Sequence, residues 1–96
     1  MSCYFVAQIS IHDPMAYERY LDGFDEVFER FGGAVLAVDD DPLRLEGEWP
    51  GTRTVLMRFP SQAEALRWYT SEGYQALVKL RQASAHANIV LVEGKE

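Results

Sequence analysis

The chain has 96 residues, of which 48% are hydrophobic and 25% charged, and its formal net charge at pH 7 is −6. This length predicts one domain, because neither half alone would be long enough to bury a core. The nine Lys and Arg residues are dispersed among 15 Asp and Glu residues, which argues against nucleic-acid binding and against an anionic membrane surface, since both need a clustered cationic face. No apolar run approaches the ~20 residues of a membrane-spanning helix, and no secretory signal is recognisable, so we expect a cytoplasmic protein.

The first half of the chain predicts a strand, a helix and a second strand. Residues 4–11 alternate between apolar and polar side chains, as in a half-buried strand. Asp13 can accept hydrogen bonds from the free amides of a helix, and Pro14 suits its first position. Aromatic and aliphatic residues then recur every three or four positions to about Phe31, and two glycines end the helix. Residues 34–38 predict a short strand.

The second half repeats this order with one additional extended piece. Residues 43–49 predict a short extended segment, and residues 52–59 alternate as a clear strand. A capping-box pattern beginning at Ser61 predicts the start of a second helix. This helix breaks near residues 71–73 and then continues. Residues 88–93 predict the last strand.

The resulting order, β-α-β-β-α-β, predicts an α+β ferredoxin-like sandwich, in which a four-stranded antiparallel sheet carries the helices on one face. The other face should be polar if it meets water, yet Val6, Leu56, Val90 and Val92 fall on it or beside it. A contiguous apolar patch of this kind usually marks an interface. We therefore predict a homodimer in which two sheets pack face to face.

An ordered set of residues makes the chain resemble a known family. The set comprises Asp13-Pro14, Tyr17, Tyr20, Gly32-Gly33, Leu45-Glu46-Gly47-Glu48-Trp49, Arg53, Phe59-Pro60-Ser61, Trp68-Tyr69-Thr70-Ser71, Tyr74, Arg81 and Val92-Glu93-Gly94. With this combination the chain resembles the domain of unknown function family 1330 (DUF1330), in the dimeric α/β-barrel (ferredoxin-like) superfamily. The resemblance implies the fold and dimerisation but no activity. The superfamily includes cofactor-independent monooxygenases, lactone isomerases, stress-responsive proteins and some haem proteins, and transferring any of these chemistries would be analogy from fold alone.

The clearest candidate site is the aromatic segment containing Trp68, Tyr69 and Tyr74. Rings of this type can wall a pocket while their N–H and O–H groups orient a polar ligand. A helix break at Ser71 would allow Tyr74 to converge with Trp68. The alternative interpretation is that all three rings simply fill the core.

Other candidates lie on the first helix, the third strand and the entry to the last strand. Tyr17 and Tyr20 lie on or beside the apolar stripe, and Tyr20 is the better ligand-binding candidate because it borders the stripe. Arg53, and to a lesser extent Arg81, can clamp a carboxylate through two parallel hydrogen bonds. His86 is a potential general base. Each also has a purely structural interpretation, as a buried phenol, an ion-pair partner or an exposed histidine.

The sequence contains no evident cofactor or metal site. Cys3 is the single cysteine, and we expect it to be a small buried residue. The two histidines have no evident third residue with which to bind a metal ion. Phosphate-binding loops and nucleophile elbows are absent. We therefore predict a small homodimer that binds or transforms a small hydrophobic or carboxylate metabolite without a cofactor. Whether it is an enzyme stays open; the alternatives are a non-catalytic structural or interaction module and, more remotely, a haem protein.

Overall fold

The structure is a computed structural model that describes residues 1–95. Its elements are, in chain order, β1 (Cys3–Ile11), α1 (Pro14–Glu29), β2 (Ala34–Asp39), β3 (Arg53–Phe59), α2 (Gln62–Thr70), α3 (Glu72–Ser84) and β4 (Ala85–Glu93). The strands form one antiparallel sheet in the order β2-β3-β1-β4. This confirms the predicted ferredoxin-like α+β fold.

Strand β1 lies at the centre of the sheet because its alternate residues are apolar. Cys3, Phe5, Ala7 and Ile9 are all buried on the face that carries the helices. Phe5 stands directly opposite Met57 of β3 and Leu91 of β4, so β3, β1 and β4 together give one continuous apolar surface.

Helix α1 begins where Asp13 and Pro14 predict it. The Ala16 N–H donates to Asp13 Oδ1 at 3.2 Å, and Pro14 occupies the first turn. The helix ends at Glu29, two residues before the predicted end, and Gly32 supplies a left-handed φ of +73° just beyond it. Its buried stripe, which packs on the sheet and on α3, consists of Tyr17, Tyr20, Phe24 and Phe28.

A single serine separates the two helices of the second half. The Ser71 hydroxyl donates to the Trp68 carbonyl oxygen at 2.7 Å at the end of α2. The Ser71 hydroxyl oxygen also accepts a hydrogen bond from the Tyr74 N–H at 3.2 Å, at the start of α3. The resulting change of direction brings the Trp68 and Tyr74 rings together, with 4.0 Å between their centroids. The predicted break and convergence are therefore present.

The extended segment predicted at residues 43–49 is wrong, because this part of the chain is a loop between β2 and β3. Strand β3 pairs with β1 on one side and with β2 on the other, and residues 43–49 pair with no strand of the sheet. Leu43 and Leu45 are each 86% exposed on this loop. The loop returns to the sheet through Trp49, whose Nε1–H donates to Thr54 Oγ1 at 2.8 Å.

The core lies between the helices and the inner face of the sheet, and Trp68 is its centre. The indole is completely buried and makes edge-on contacts with Phe5, Phe24 and Phe28 at centroid distances of 5.4, 5.9 and 5.7 Å. No helix within residues 1–95 has the length and apolar character needed to span a bilayer.

The outer face of the sheet carries no helix, and part of it is apolar. Val6 lies between Leu56 and Val90 in the strand register, and Tyr4 lies beside Val92. Val90 is 57% exposed and Val92 is 47% exposed, while Val6 and Leu56 are half-buried. The helix-free apolar face expected from the sequence is therefore present.

Candidate functional site

A cavity of about 160 Å³ lies between α1, α3 and the inner face of the sheet. Its floor is formed by small and medium-sized apolar side chains of the central strands, among them Ala7, Ile9 and Val55. Val35 and Val38 of the edge strand β2 also line it, and both are almost half exposed, which places the mouth on the β2 side. The polar groups of the lining are contributed chiefly by three tyrosines and two arginines.

Two phenols from different helices meet in this cavity. The hydroxyl oxygens of Tyr20, on α1, and Tyr74, on α3, are 2.7 Å apart, and both side chains are buried. Burial raises the pKa of Tyr20, and the neighbouring Tyr74 raises it further. Burial also raises the pKa of Tyr74, although the hydrogen bond with Tyr20 and the positive charge of Arg81 act in the opposite direction. Both phenols are therefore neutral around pH 7 and can donate protons to hydrogen bonds.

Arg81 is the most unusual residue of the cavity lining, because it is only 5% exposed. It lies on the same face of α3 as Tyr74 and Val78, the other buried residues of that stripe. Its Nε–H has no hydrogen-bond partner, and no Asp or Glu among residues 1–95 forms an ion pair with it. A buried charge without a counter-ion is costly for a folded protein.

Arg53 is the second arginine of the lining. Its charge is paired with a carboxylate, although its buried Nε–H, like that of Arg81, has no hydrogen-bond partner. It extends from the inner face of β3, where it stands opposite Ile9. Its Nη1 donates to Asp40 Oδ1 at 2.9 Å, and its guanidinium carbon lies 5.8 Å from the centroid of the Tyr17 ring. Burial raises the pKa of Tyr17, and the positive charges of Arg53 and then Arg81 oppose that effect.

The structure brings three of the six predicted site residues together and places the other three elsewhere. Tyr20, Arg53 and Tyr74 line the cavity. Trp68 and Tyr69 instead border a separate groove between α2 and β4. His86 is exposed, and it stands opposite Ser10 on the outer face of the sheet.

Tyr17 and Arg81 also line the cavity, although the sequence analysis ranked them below Tyr20 and Arg53. A signal for Arg81 was present in the sequence. Tyr74, Val78 and Arg81 follow one another at spacings of four and three, so the arginine continues an apolar helical stripe. An arginine in such a position is either paired inside the protein or directed at a ligand.

The chemical capability of the cavity follows from this lining. It offers apolar walls for a hydrocarbon body, one guanidinium without a counter-ion and phenolic hydroxyls for hydrogen bonding. Within the described part of the chain, no three His, Cys, Asp or Glu side chains cluster in a way that would hold a metal ion.

Comparisons with known proteins agree with this architecture. The model of the DUF1330 family, described as a domain of unknown function, matches residues 2–95. A protein of unknown function from Rhodopseudomonas palustris superposes with a TM-score of 0.83 at 20% identity, over 99% of this chain and 83% of that one. A search of curated proteins gave no match.

Two further solved structures share the fold at lower identity. SnoaB, a cofactor-independent oxygenase from Streptomyces nogalater, gives a TM-score of 0.68 at 14% identity, over 99% of this chain and 94% of that one. A dimeric ferredoxin-like protein of unknown function from Jannaschia sp. gives a TM-score of 0.70 at 14% identity, over 98% of this chain and 100% of that one. At these identities the similarity shows a common fold.

Proposed function

This chain belongs to the DUF1330 family, and from that premise we propose that it is a single-domain homodimeric protein whose cavity binds a small hydrophobic or carboxylate metabolite without a cofactor. The observation that carries the proposal is the cavity between α1, α3 and the sheet, with its apolar floor and buried polar end. Protein interiors are normally close-packed. A void of this size, lined by a buried arginine without a counter-ion, is explained more simply by a ligand than by packing.

The size of the cavity limits the ligand. A cavity of about 150 Å³ in another protein accommodates one benzene molecule, and the cavity here has about 160 Å³. The expected ligand body is therefore a single six-membered ring or an aliphatic group of similar volume.

The fold is compatible with chemistry as well as with binding. SnoaB, which has the same architecture, is a cofactor-independent oxygenase, so a fold of this kind can support a reaction with no prosthetic group. That support is analogy at the level of the fold. We therefore propose that the cavity binds a ligand, and the proposal does not include catalysis of a reaction in that cavity.

The alternative function, a structural module whose aromatic residues only fill the core, is supported by Trp68, which is completely buried. It gives no reason for the space beside Tyr20 and Tyr74 or for the buried charge of Arg81. The two functions differ in what they predict for ligand binding.

The test is a thermal-shift and ligand-observed NMR screen with single-ring probes, namely phenol, benzamide, benzoate and benzoquinone. Val55→Phe fills the cavity without removing a polar group, and Met15→Phe adds a ring at an exposed position of α1 as the matched control. We expect at least one probe to bind the wild type and Met15→Phe but not Val55→Phe. If no probe distinguishes the wild type from Val55→Phe, the structural module is the better description.

A further inference from the structure

Building on the proposed function, we propose that Arg81, together with the hydroxyls of Tyr20 and Tyr74, forms an anion-binding subsite, and that the ligand is a single-ring organic monoanion whose carboxylate lies against Arg81. The ring of this ligand would occupy the apolar part of the cavity above the sheet.

The first support is the unmatched charge of Arg81. Buried arginines in folded proteins are usually paired with a carboxylate, and here Asp40 serves that purpose for Arg53 at 2.9 Å. Arg81 forms no ion pair within residues 1–95, and its buried Nε–H has no acceptor. A ligand carboxylate can supply both missing partners, since a guanidinium binds a carboxylate through two parallel N–H···O bonds.

The second support is the surplus of hydrogen-bond donors. The bond between the Tyr20 and Tyr74 hydroxyls uses one phenolic hydrogen, so the other remains available for a further acceptor. Arg81 lies close enough to lower the pKa of both phenols and to hydrogen-bond to the Tyr74 hydroxyl, an interaction that uses one of its five N–H groups and leaves the others as donors. A guanidinium and a phenol O–H are both donors, and the group that matches them is one that only accepts, such as an ionised carboxylate.

The third support is the total charge around the cavity, which favours a ligand with one negative charge over a ligand with two. The positive charge of Arg53 is already balanced by Asp40. Asp25 also lines the cavity and is exposed on α1. A second anionic group on the ligand would find no unpaired cation and would approach the carboxylates of Asp25 and Asp40. The positive charge left for a ligand is therefore that of Arg81.

The test measures the affinities of three probes by isothermal titration calorimetry at pH 7. Benzoate and its neutral isostere benzamide differ in charge, and phthalate carries a second carboxylate. We expect the wild type to bind benzoate about 10- to 100-fold more tightly than benzamide, because hydrogen bonds to a charged group contribute about 1.5–3 kcal/mol. Phthalate, with two carboxylates, should bind more weakly than benzoate. In Arg81→Met the preference for benzoate over benzamide should disappear, while Arg81→Lys should retain part of it.

Tyr74→Phe provides a second, milder variant that keeps the ring and the charge of Arg81. We expect it to weaken benzoate binding several-fold and to leave benzamide binding less affected. If Arg81→Met does not fold, the subsite can still be tested, because the wild type and Tyr74→Phe both keep Arg81 and their affinities for the probes can be compared.

The possible failures separate the two proposals. If benzamide binds as tightly as benzoate, or if Arg81→Met keeps the preference for benzoate, the anion subsite is wrong while the cavity remains a binding site. If none of the single-ring probes binds the wild type, both the subsite and the proposed function are wrong.

Discussion

The Tyr20–Tyr74 pair shows what burial does to a polar side chain in this protein. The two hydroxyl oxygens lie 2.7 Å apart between α1 and α3, so each phenol satisfies part of the other's hydrogen-bonding capacity. A buried phenol with no partner would cost roughly 1–3 kcal/mol. The pair therefore joins the helices through a polar contact inside a mainly aromatic core.

This contact predicts a loss of stability at alkaline pH. Burial raises the pKa of both phenols above the usual value of 10.0. Below pH 10 the phenols are neutral in both the folded and the unfolded chain, so the stabilisation is fully present. As the pH rises through and beyond 10, only the unfolded chain ionises readily, and the free energy of unfolding falls.

Urea unfolding followed by circular dichroism between pH 8 and 11 measures this dependence. We expect the free energy of unfolding of Tyr20→Phe to fall less steeply with pH than that of the wild type, because one of the buried groups with a raised pKa is gone. Parallel profiles for the two proteins would contradict the assignment.

The sequence predicts those site residues whose placement follows from local helical spacing, and it does not predict those whose placement depends on contacts between distant parts of the chain. Tyr20 and Tyr74 were predictable because helical spacing assigns both to buried faces. The sequence favours Arg53 over Arg81 as a ligand-binding residue, and it gives no sign that Asp40, 13 positions away, pairs with Arg53 at 2.9 Å. The exposed position of His86 depends on the pairing of β4 with β1. Such contacts between distant parts of the chain have no local sequence signal.

At the scale of elements, Ser71 decides the path of the chain between α2 and α3. Its hydroxyl donates to the last turn of one helix and accepts from the first turn of the next. The sequence predicted this break because local hydrogen bonding by serine competes with a continuous helix. The loop at residues 43–49 has no such local signal, since the alternation there resembles a strand and only the strand pairing of the folded sheet shows that it is not one.

Removing the Ser71 hydroxyl should therefore destabilise the fold. We expect Ser71→Ala to lower the free energy of unfolding by about 1 kcal/mol, the usual cost of losing a helix N-cap. Thr70→Ala is the matched control, because the Thr70 hydroxyl bonds to the Leu66 carbonyl oxygen on an exposed helical surface and caps no helix. Equal losses in the two variants, measured by urea unfolding, would show that the serine has no special role.

At the scale of the whole molecule, the outer face of the sheet is the surface through which we propose that the homodimer forms. Val6, Leu56 and Val90 form one apolar row across three strands, and no helix covers it. Full burial of such side chains is worth about 1.5–3 kcal/mol each. The Jannaschia protein, which shares the fold, is described as dimeric. Both observations support the homodimer proposed above.

A charge placed in this row should prevent association. We expect the wild type to have the mass of a dimer in size-exclusion chromatography with light scattering, and Leu56→Glu to have the mass of a monomer, because the carboxylate would be buried without a partner. Met15→Glu introduces the same charge at an exposed position of α1 and should remain dimeric. A monomeric wild type would contradict the homodimer.

Strand β3 has a role on each of its two faces. Arg53 and Val55 line the cavity, while Thr54 and Leu56 between and after them belong to the outer face. Inserting or deleting one residue in β3 would exchange the two sets at once, since strand side chains alternate with a period of two. A substitution in β3 therefore changes one face at a time, whereas a change of length can be accommodated only where the pairing is interrupted, as in the loop after β2 or at the irregularity between Val35 and Ala37.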